Sequence, residues 1–357
     1  MYMPKKKYIT FSDSINQALD FALKKDKKLF CYGLGINDPK GIFGTTIGLS
    51  KKYGKKRVFD IPCSENALTG ISIGAALNGY RSVATHQRLD FFLLAMDQLV
   101  NAASKWHYLY GSKKSVSITI RLIIGRGWGQ GPTHSQSLQA WFNHIPGLKV
   151  VMPTFADDAR SLLIESIFDP NPVIFLEHRW LHNNRSFKTP KHRKVSIGKA
   201  RICSKGNDIT LITNSYLTLE AIIAAKNLKK HYNINCEIID LRTIKPLDWR
   251  TIFKSIDKTR KVIVLDGGNH IGSIANDIVS KIVTKKFNIL KKPPEVIAMP
   301  DTPEPTSYAL TKDFYVSAKD ITQKILNFFE KKPHKNFKSH FKVKHHDQPY
   351  ETFKGPF

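Results

Sequence analysis

Short apolar runs alternate with helically spaced segments almost from one end of this chain to the other, and that alternation leaves few folds open. A strand, a helix and a second strand of the same sheet build a parallel sheet with helices on its faces. In the first series the predicted strands are 29–35, 58–61, 81–87, 115–121, 148–153 and 173–177. Helices are predicted over 12–23, near 46–53, from Glu65, over 90–105 and over 157–168, with Ser12 or Asp13 capping the first. A second series has strands at 208–213, 236–240 and 261–266, helices at 217–230, 249–255 and 271–283, and an edge strand at 296–300. Residues 180–193 between them are polar and carry Pro190, so they read as a linker. The expectation is an α/β protein of two parallel-sheet domains, residues 1–190 and 191–330, followed by an extended basic tail, 331–357. At 357 residues the chain is long enough for two cores.

The first series is organised around Asp60-Ile61-Pro62-Cys63-Ser64-Glu65 and the helix that follows. Pro62 stops a strand, Ser64 is a natural N-cap, and Glu65 falls in the first helical turn. Gly70, Gly74 and Ala75 lie on one side of that helix, where another backbone or a flat ligand can approach closely. A glutamate in a first turn is also an ordinary partner of the helix dipole, so Glu65 alone decides nothing. A second candidate comes from the loop Gly125-Arg126-Gly127-Trp128-Gly129-Gln130-Gly131-Pro132-Thr133-His134. Its spacing is neither a dinucleotide fingerprint nor a phosphate loop, but it follows a strand, where open parallel sheets keep their ligands. His134 at its end is therefore a functional candidate, whereas Ser135 lacks the Gly-x-Ser-x-Gly elbow of a serine hydrolase.

Asp169 and Asn171, with the carbonyls ending the preceding helix, could hold a monovalent cation, and a plain helix-to-strand turn explains them equally well. The cysteines at 31, 63, 203 and 236 have no metal or redox spacing; buried free thiols are expected for Cys31, Cys203 and Cys236, and disulfides are not. The formal charge of +27 asks for a test against nucleic acid. The lysines, however, are scattered through every segment and no recognition motif accompanies them, so nucleic acid is disfavoured. No run approaches the roughly 18–20 apolar residues of a membrane span, and the basic N-terminus lacks the apolar stretch of a secretory signal. A cytoplasmic protein is expected. Residues 331–357 hold seven lysines against two acids, with four histidines.

Taken together, Asp60–Glu65, Gly70–Gly79, Met96–Asn101, His134–Ser137, Pro146–Val151, Asp169–Pro172, Ile239–Pro246 and Asp301–Pro303 resemble one family over residues 8–330. It is that of the beta subunits of the decarboxylating component of 2-oxo acid dehydrogenase complexes, in the transketolase-like thiamine diphosphate superfamily. The resemblance implies a transketolase-like pyrimidine-binding domain followed by a transketolase C-terminal domain. It implies that Glu65, as a desolvated acid of perturbed pKa, hydrogen-bonds N1′ of thiamine diphosphate. Phe91 would pack on the pyrimidine and His134 would face the substrate. A potassium site maps onto Ile118, Ser166, Ile167, Asp169 and Asn171, the first three through carbonyls. The Gly-Asp-Gly stretch that holds the diphosphate through magnesium is missing, which implies that a separate alpha subunit supplies it in a heterotetramer of two alpha and two beta chains.

Two departures qualify that inheritance. Gly33-Leu34 stands where such subunits often have Gly-Glu, and Leu94 where a glutamine commonly follows the stacking phenylalanine close to the cofactor. Both make the pocket more apolar and leave the 2-oxo acid open. The strong positive charge also opposes a contact made in many relatives, where an acidic beta surface meets a basic domain of the lipoylated acyltransferase core. The alternatives are a split transketolase-like or acyloin-forming enzyme that passes a two-carbon unit to an aldehyde or sugar, and a non-catalytic scaffold subunit.

Overall fold

A computed structural model describes residues 8–126, 130–187 and 194–341. Its first block contributes strands β1 (Tyr8–Thr10), β2 (Leu29–Tyr32), β3 (Val58–Phe59), β4 (Arg81–His86), β5 (Ile118–Ile124), β6 (Lys149–Val151), β7 (Val173–His178) and β8 (Arg185–Phe187). The second contributes β9 (Arg201–Ser204), β10 (Ile209–Thr213), β11 (Cys236–Asp240), β12 (Thr243–Lys245), β13 (Val262–Asn269) and β14 (Glu295–Met299). The larger sheet has seven strands in the order β12-β6-β7-β5-β4-β2-β3, and the pairings among β2 to β7 are all parallel. The smaller has five, β14-β13-β10-β11-β9, parallel except for β9. This is the expected two-sheet α/β architecture. β5 and β7 are buried along their whole length, which is why their sequences run apolar without alternation.

One buried ion pair breaks that run. Arg121 in β5 is fully buried and makes a two-pronged bond to Glu177 in β7, Nε to Oε1 at 2.6 Å and Nη2 to Oε2 at 3.0 Å. His182 Nε2 lies 3.2 Å from the same carboxylate, and Thr85 Oγ1 takes a further bond from the guanidinium at 3.2 Å. A charge can stay in a dry core when geometry of this quality compensates it. Burial pushes the Glu177 carboxyl up, yet Arg121 brings it net below its ordinary value.

Several sequence expectations need correction. The first helix, Phe11–Lys25, is capped by Thr10, whose hydroxyl accepts from the Asp13 amide at 3.0 Å, rather than by Ser12 or Asp13. The single helix expected over 90–105 is broken into an α turn (Leu89–Phe92), a 3-10 turn (Leu93–Ala95), a π segment (Gln98–Ala103) and a last α stretch (Ser104–Leu109). Ser104 donates to the Val100 carbonyl at 2.8 Å, a back-bond that bends helices. Gly147 also lies so close to the Ser104 carbonyl that a Cβ would collide with it.

The expected linker is half structure. Trp180, Leu181 and His182 are buried and β8 pairs antiparallel with β1; residues 188–193 lie outside the described residues. Composition misled there because Trp180, packed edge-on at 5.1 Å against both Tyr216 and Tyr315, anchors an otherwise polar stretch. The tail also starts folded: Lys331 Nζ reaches the Tyr232 carbonyl at 3.0 Å, His334 stacks on the Tyr232 ring at 4.5 Å, and Phe337 is buried. Residues 342–357 lie outside the described ones.

The second block also gives a strand to the first sheet. β12 pairs antiparallel with β6, and just before it Arg242 grips Asp158 with Nε at 2.9 Å and Nη2 at 2.7 Å. Lys245 donates to the carbonyls of Asn143 and Ile145, both at 2.7 Å. These contacts stitch the two sheets into one scaffold. Cys31 and Cys236 are buried, Cys203 is half-buried and Cys63 is exposed. Burial pushes the thiols of the first three up to about 12, which leaves them inert.

Candidate functional site

Four neighbouring strands in the order β5-β4-β2-β3 run parallel, so their C-terminal ends lie along one rim. Each end launches a candidate from the sequence: β2 leads to Gly33-Leu34, β3 to Asp60 and Glu65, β4 to Phe91 and Leu94, and β5 to the loop of His134. Ligands of open parallel sheets bind outside such ends.

Glu65 opens the helix Glu65–Leu77 and is half-buried in this chain, less enclosed than a desolvated acid should be. Residues 62–64 and 66–67 around it are exposed, so this chain leaves its outward side open. Ser64 occupies the N-cap position without a side-chain cap bond, which leaves the first-turn amides free to favour a nearby anion. The helix is pinned to β2: the Tyr32 hydroxyl donates to the Leu68 carbonyl at 3.2 Å and accepts from Ser72 at 2.8 Å. Asp60 fixes the approach, its Oδ1 accepting from the amides of Gly35 at 3.0 Å and Ile61 at 2.8 Å. That bond ties the ends of β2 and β3 together. Of the small residues expected on one side, Gly70 faces Gln98, whereas a Cβ on Gly74 would meet nothing.

Phe91 and His134 come together from 43 positions apart in sequence, ring centroids 5.4 Å apart and nearly perpendicular at 86°. Phe91 is half-buried and His134 exposed, its Nδ1 2.9 Å from Thr133 Oγ1. Leu94 is 70% exposed and Leu34 42%, so both bare apolar groups lie open in this chain. Residues 127–129 of the glycine loop lie outside the described residues.

Sequence reasoning missed the polar frame around this pair. Asp90, one residue before Phe91, accepts from Gln136 Nε2 at 2.7 Å; Arg88 bonds Gln130; and Arg126 donates to the carbonyls of Pro305 at 3.5 Å and Thr306 at 3.3 Å. Position beside the stacking residue was the available signal for Asp90, and none existed for the reach of 304–306 across the blocks. A cleft of about 780 Å³ opens nearby, lined by Asp38, Phe43, Gln87 and Arg179. The guanidinium groups of Arg88 and Arg179 flank the Phe43 ring at 5.2 and 4.3 Å, and burial pushes both down to about 10.

The residues mapped for a cation gather at one corner, where β5 begins and the helix Ala156–Phe168 turns into β7. Ser117 donates to the Asp169 carbonyl at 2.6 Å and the Asp169 amide reaches the Ser166 carbonyl at 3.3 Å. The Asp169 carboxylate is taken by Lys149 and by the Asn171 amide at 2.9 Å. Among the described residues no group of three or more His, Cys, Asp or Glu side chains could hold a metal, and no helix is long and apolar enough to cross a membrane.

A parallel sheet whose rim carries these candidate groups, braced by a second, smaller and mostly parallel sheet, is the arrangement of a transketolase-type protein. The sequence agrees: "Transketolase, pyrimidine binding domain" matches residues 7–184 and "Transketolase, C-terminal domain" residues 198–321. In three dimensions the chain is similar to a split-gene transketolase described as an inactive beta4 tetramer, with a TM-score of 0.71 over 89% of this chain and 97% of that one. At 18% identity that likeness speaks for the fold alone. Sequence relatives are nearer. The pyruvate dehydrogenase E1 component subunit beta of Rickettsia felis is 34% identical over 89% of this chain and 97% of its own. The acetoin:2,6-dichlorophenolindophenol oxidoreductase subunit beta of Bacillus subtilis is 36% identical over 87% and 94%. The chain belongs to the family of these dehydrogenase beta subunits.

Proposed function

We propose that the chain is the beta subunit of a thiamine diphosphate-dependent 2-oxo acid dehydrogenase, active only with an alpha subunit. The observation that carries this is the placement of a carboxylate, an aromatic ring and an imidazole beyond the C-terminal ends of β3, β4 and β5 along one rim of the larger sheet, with the ring and the imidazole in contact. The donor set fits the aminopyrimidine half of the coenzyme: an acid for a ring nitrogen, a half-buried ring to pack on and an exposed imidazole beside it. When bound, the coenzyme supplies the carbanion that attacks a carbonyl carbon. Glu65 holds the proton at N1′, Phe91 orients the pyrimidine, and His134 donates to the substrate oxygen. The diphosphate and its magnesium fall to the alpha subunit, in a heterotetramer of two alpha and two beta chains, with the two domains of this chain meeting at about residue 190. That partner also covers Glu65, Leu34 and Leu94.

The reaction is loss of carbon dioxide from a 2-oxo acid and transfer of the acyl-level fragment to a lipoyl group of an acyltransferase core. A second reading, cleavage or formation of an acyloin, is favoured by the Bacillus relative and by the apolar Leu34 and Leu94. The potassium corner that the resemblance maps is at most a weak site in either reading, because Lys149 already places one positive charge on the Asp169 carboxylate.

The experiment is to purify the chain with its alpha partner and follow 2-oxo acids and acetoin with an artificial electron acceptor. Turnover with a 2-oxo acid that needs both chains and thiamine diphosphate is expected. Tight binding of the coenzyme by this chain alone would overturn the shared-site reading.

A further inference from the structure

The cleft beside the site is built on the same rim, and the proposed chemistry gives it no task. Its lining comes from the segments that follow three strands: Asp38 to Gly44 after β2, Gln87 after β4, and Arg179 and Asn183 after β7. β5, whose loop brings His134, runs between β4 and β7. Phe43 stands in that lining with its backbone in the left-handed region, φ 49°, which bulky side chains rarely adopt. Strain of this kind persists only where the surroundings hold it, and it gathers at ligand sites. Here the holding groups are two buried guanidiniums, Arg179 at 4.3 Å and Arg88 at 5.2 Å from the ring centroid. Arg88 also bonds Gln130 in the His134 loop. Gln87 donates to the Leu34 carbonyl at 2.9 Å, and a Cβ on Gly35 would meet Gln87 Nε2 at 2.6 Å and Asp38 Oδ2 at 2.9 Å. Arg88 and Gln87 thus join the cleft to the reacting face.

We propose that this cleft binds an oxyanion, carboxylate or phosphate, at the non-reacting end of the substrate, with Arg179 and Lys40 as its counter-charges. This rests on the functional reading above and narrows its substrate class. The molecule has a carbonyl for His134 at one end, an anionic group at the other, and an apolar stretch past Leu34 between them. A guanidinium presents paired N–H donors in a fixed fork that fits either oxyanion. Stacked on Phe43 and 3% exposed, Arg179 holds that fork in a dry wall, where attraction to an anion is stronger than in water. Lys40 is exposed at the same cleft, and Asp38, also exposed, is the acid among its lining residues. Burial first and then the nearby Arg88 charge disfavour the charged form of Arg179, and an anion in the cleft offsets both. A neutral-ended substrate forgoes that attraction, which is the basis of discrimination.

The test gives the complex with the alpha partner two matched pairs of substrates. One pair is 2-oxo acids of equal length ending in a methyl group or a carboxylate; the other is aldehyde acceptors ending in a hydroxyl or a phosphate. In one pair kcat/KM should favour the charged member about 10–100-fold, the scale of a charge-assisted hydrogen bond. A preference in the first pair makes the 2-oxo acid the ligand, and in the second the acceptor. Arg179→Met should bring that ratio close to one, and Lys40→Met should lower it about 3-fold, as an exposed charge does. Lys40→Met, at an exposed position, keeps the test open if Arg179→Met does not fold. Apart from turnover, inorganic phosphate should raise the melting midpoint of the full-length chain, and Arg179→Met should abolish the rise. A ratio near one in both pairs, or one that neither variant lowers, overturns the inference. So does a phosphate-induced rise alongside turnover that ignores the charge, which marks an adventitious ion only. A rise that Arg179→Met abolishes, with no thiamine-dependent turnover in any complex, overturns the functional reading and leaves the anion site standing.

Discussion

The two sheets of this molecule end their strands in acids, and they treat those acids in opposite ways. On the larger sheet Glu65, beyond β3, is half-buried with its surroundings open. On the smaller, Asp266 in β13 is 1% exposed and saturated: Oδ1 accepts from Gln139 at 2.7 Å and the Gly268 amide at 3.4 Å, and Oδ2 from Ser273 at 2.9 Å and the Ile274 amide at 3.0 Å. Asp240, ending β11, is fully buried, and burial with the Asp158 charge pushes it up to about 7. One sheet keeps its carboxylate available, and the other uses its acids as internal ties. A parallel sheet therefore offers a site at its strand ends only where local bonds leave the groups there free.

Exchanging the two roles is the sharpest way to break that contrast. Glu65→Gln should lower turnover of the alpha–beta complex by about 10²–10⁴-fold, the range for a positioned acid or base. Its melting temperature should hardly move, because a half-exposed side chain contributes little to stability. Asp266→Ala should do the reverse. Buried donors on Gln139 and Ser273 lose their acceptor, at a cost of about 3–5 kcal/mol in unfolding free energy, seen as a lowered melting midpoint. An active Glu65→Gln or a fully stable Asp266→Ala would dissolve the distinction.

How far the sequence alone discloses this depends on the range of the contact involved. Strand–helix alternation placed most strands, and β14 falls at the edge where 296–300 was expected. Glu65 and His134 stand out as candidates because each follows a strand that local pattern can find, whereas Phe91, on an apolar helical face that reads as core, is a candidate through the resemblance alone. The broken helix after Phe91 was not legible, and the close approach of Gly147 to Ser104, where the last helical stretch begins, comes from a distant loop. β12 was hidden for a similar reason: three residues, Thr243–Lys245, leave their own sheet to pair with β6. The docking of 305–306 against the glycine loop was hidden as well, since Arg126 reaches their carbonyls across 179 and 180 positions of sequence. Local chemistry survives in a single sequence, whereas docking between blocks leaves no period to read.

Beneath the open rim the larger sheet is dry, and acid should reveal it. His86 in β4 packs edge-on to Phe92 at 5.0 Å, and burial lowers its imidazole from 6.5 to about 4. It is neutral when folded and takes a proton readily only when unfolded. The stability it preserves is present above pH 6.5 and lost as pH falls toward about 4. Over that window the loss is about 3 kcal/mol. His86→Phe should remove this part of the acid slope in a series of melts from pH 7 to 4, and an unchanged slope would show that His86 is not the group responsible.

The smallest effect is expected at the corner of Asp169, which lies at the opposite end of β5 from the rim. A cation bound there must share a carboxylate that Lys149 already neutralises, and carbonyls that already accept from Ser117 and the Asp169 amide. Replacing potassium by lithium should therefore shift unfolding free energy by less than about 0.5 kcal/mol, the scale of a surface charge effect. Lys149→Met removes the resident charge and leaves the oxygen atoms in place, so potassium dependence should grow. If the unmodified chain instead loses several degrees of melting temperature without potassium, the corner is a working cation site and Lys149 is its neighbour rather than its substitute. In that case the larger sheet carries bound groups at both ends of its strands, and the contrast with the smaller sheet widens.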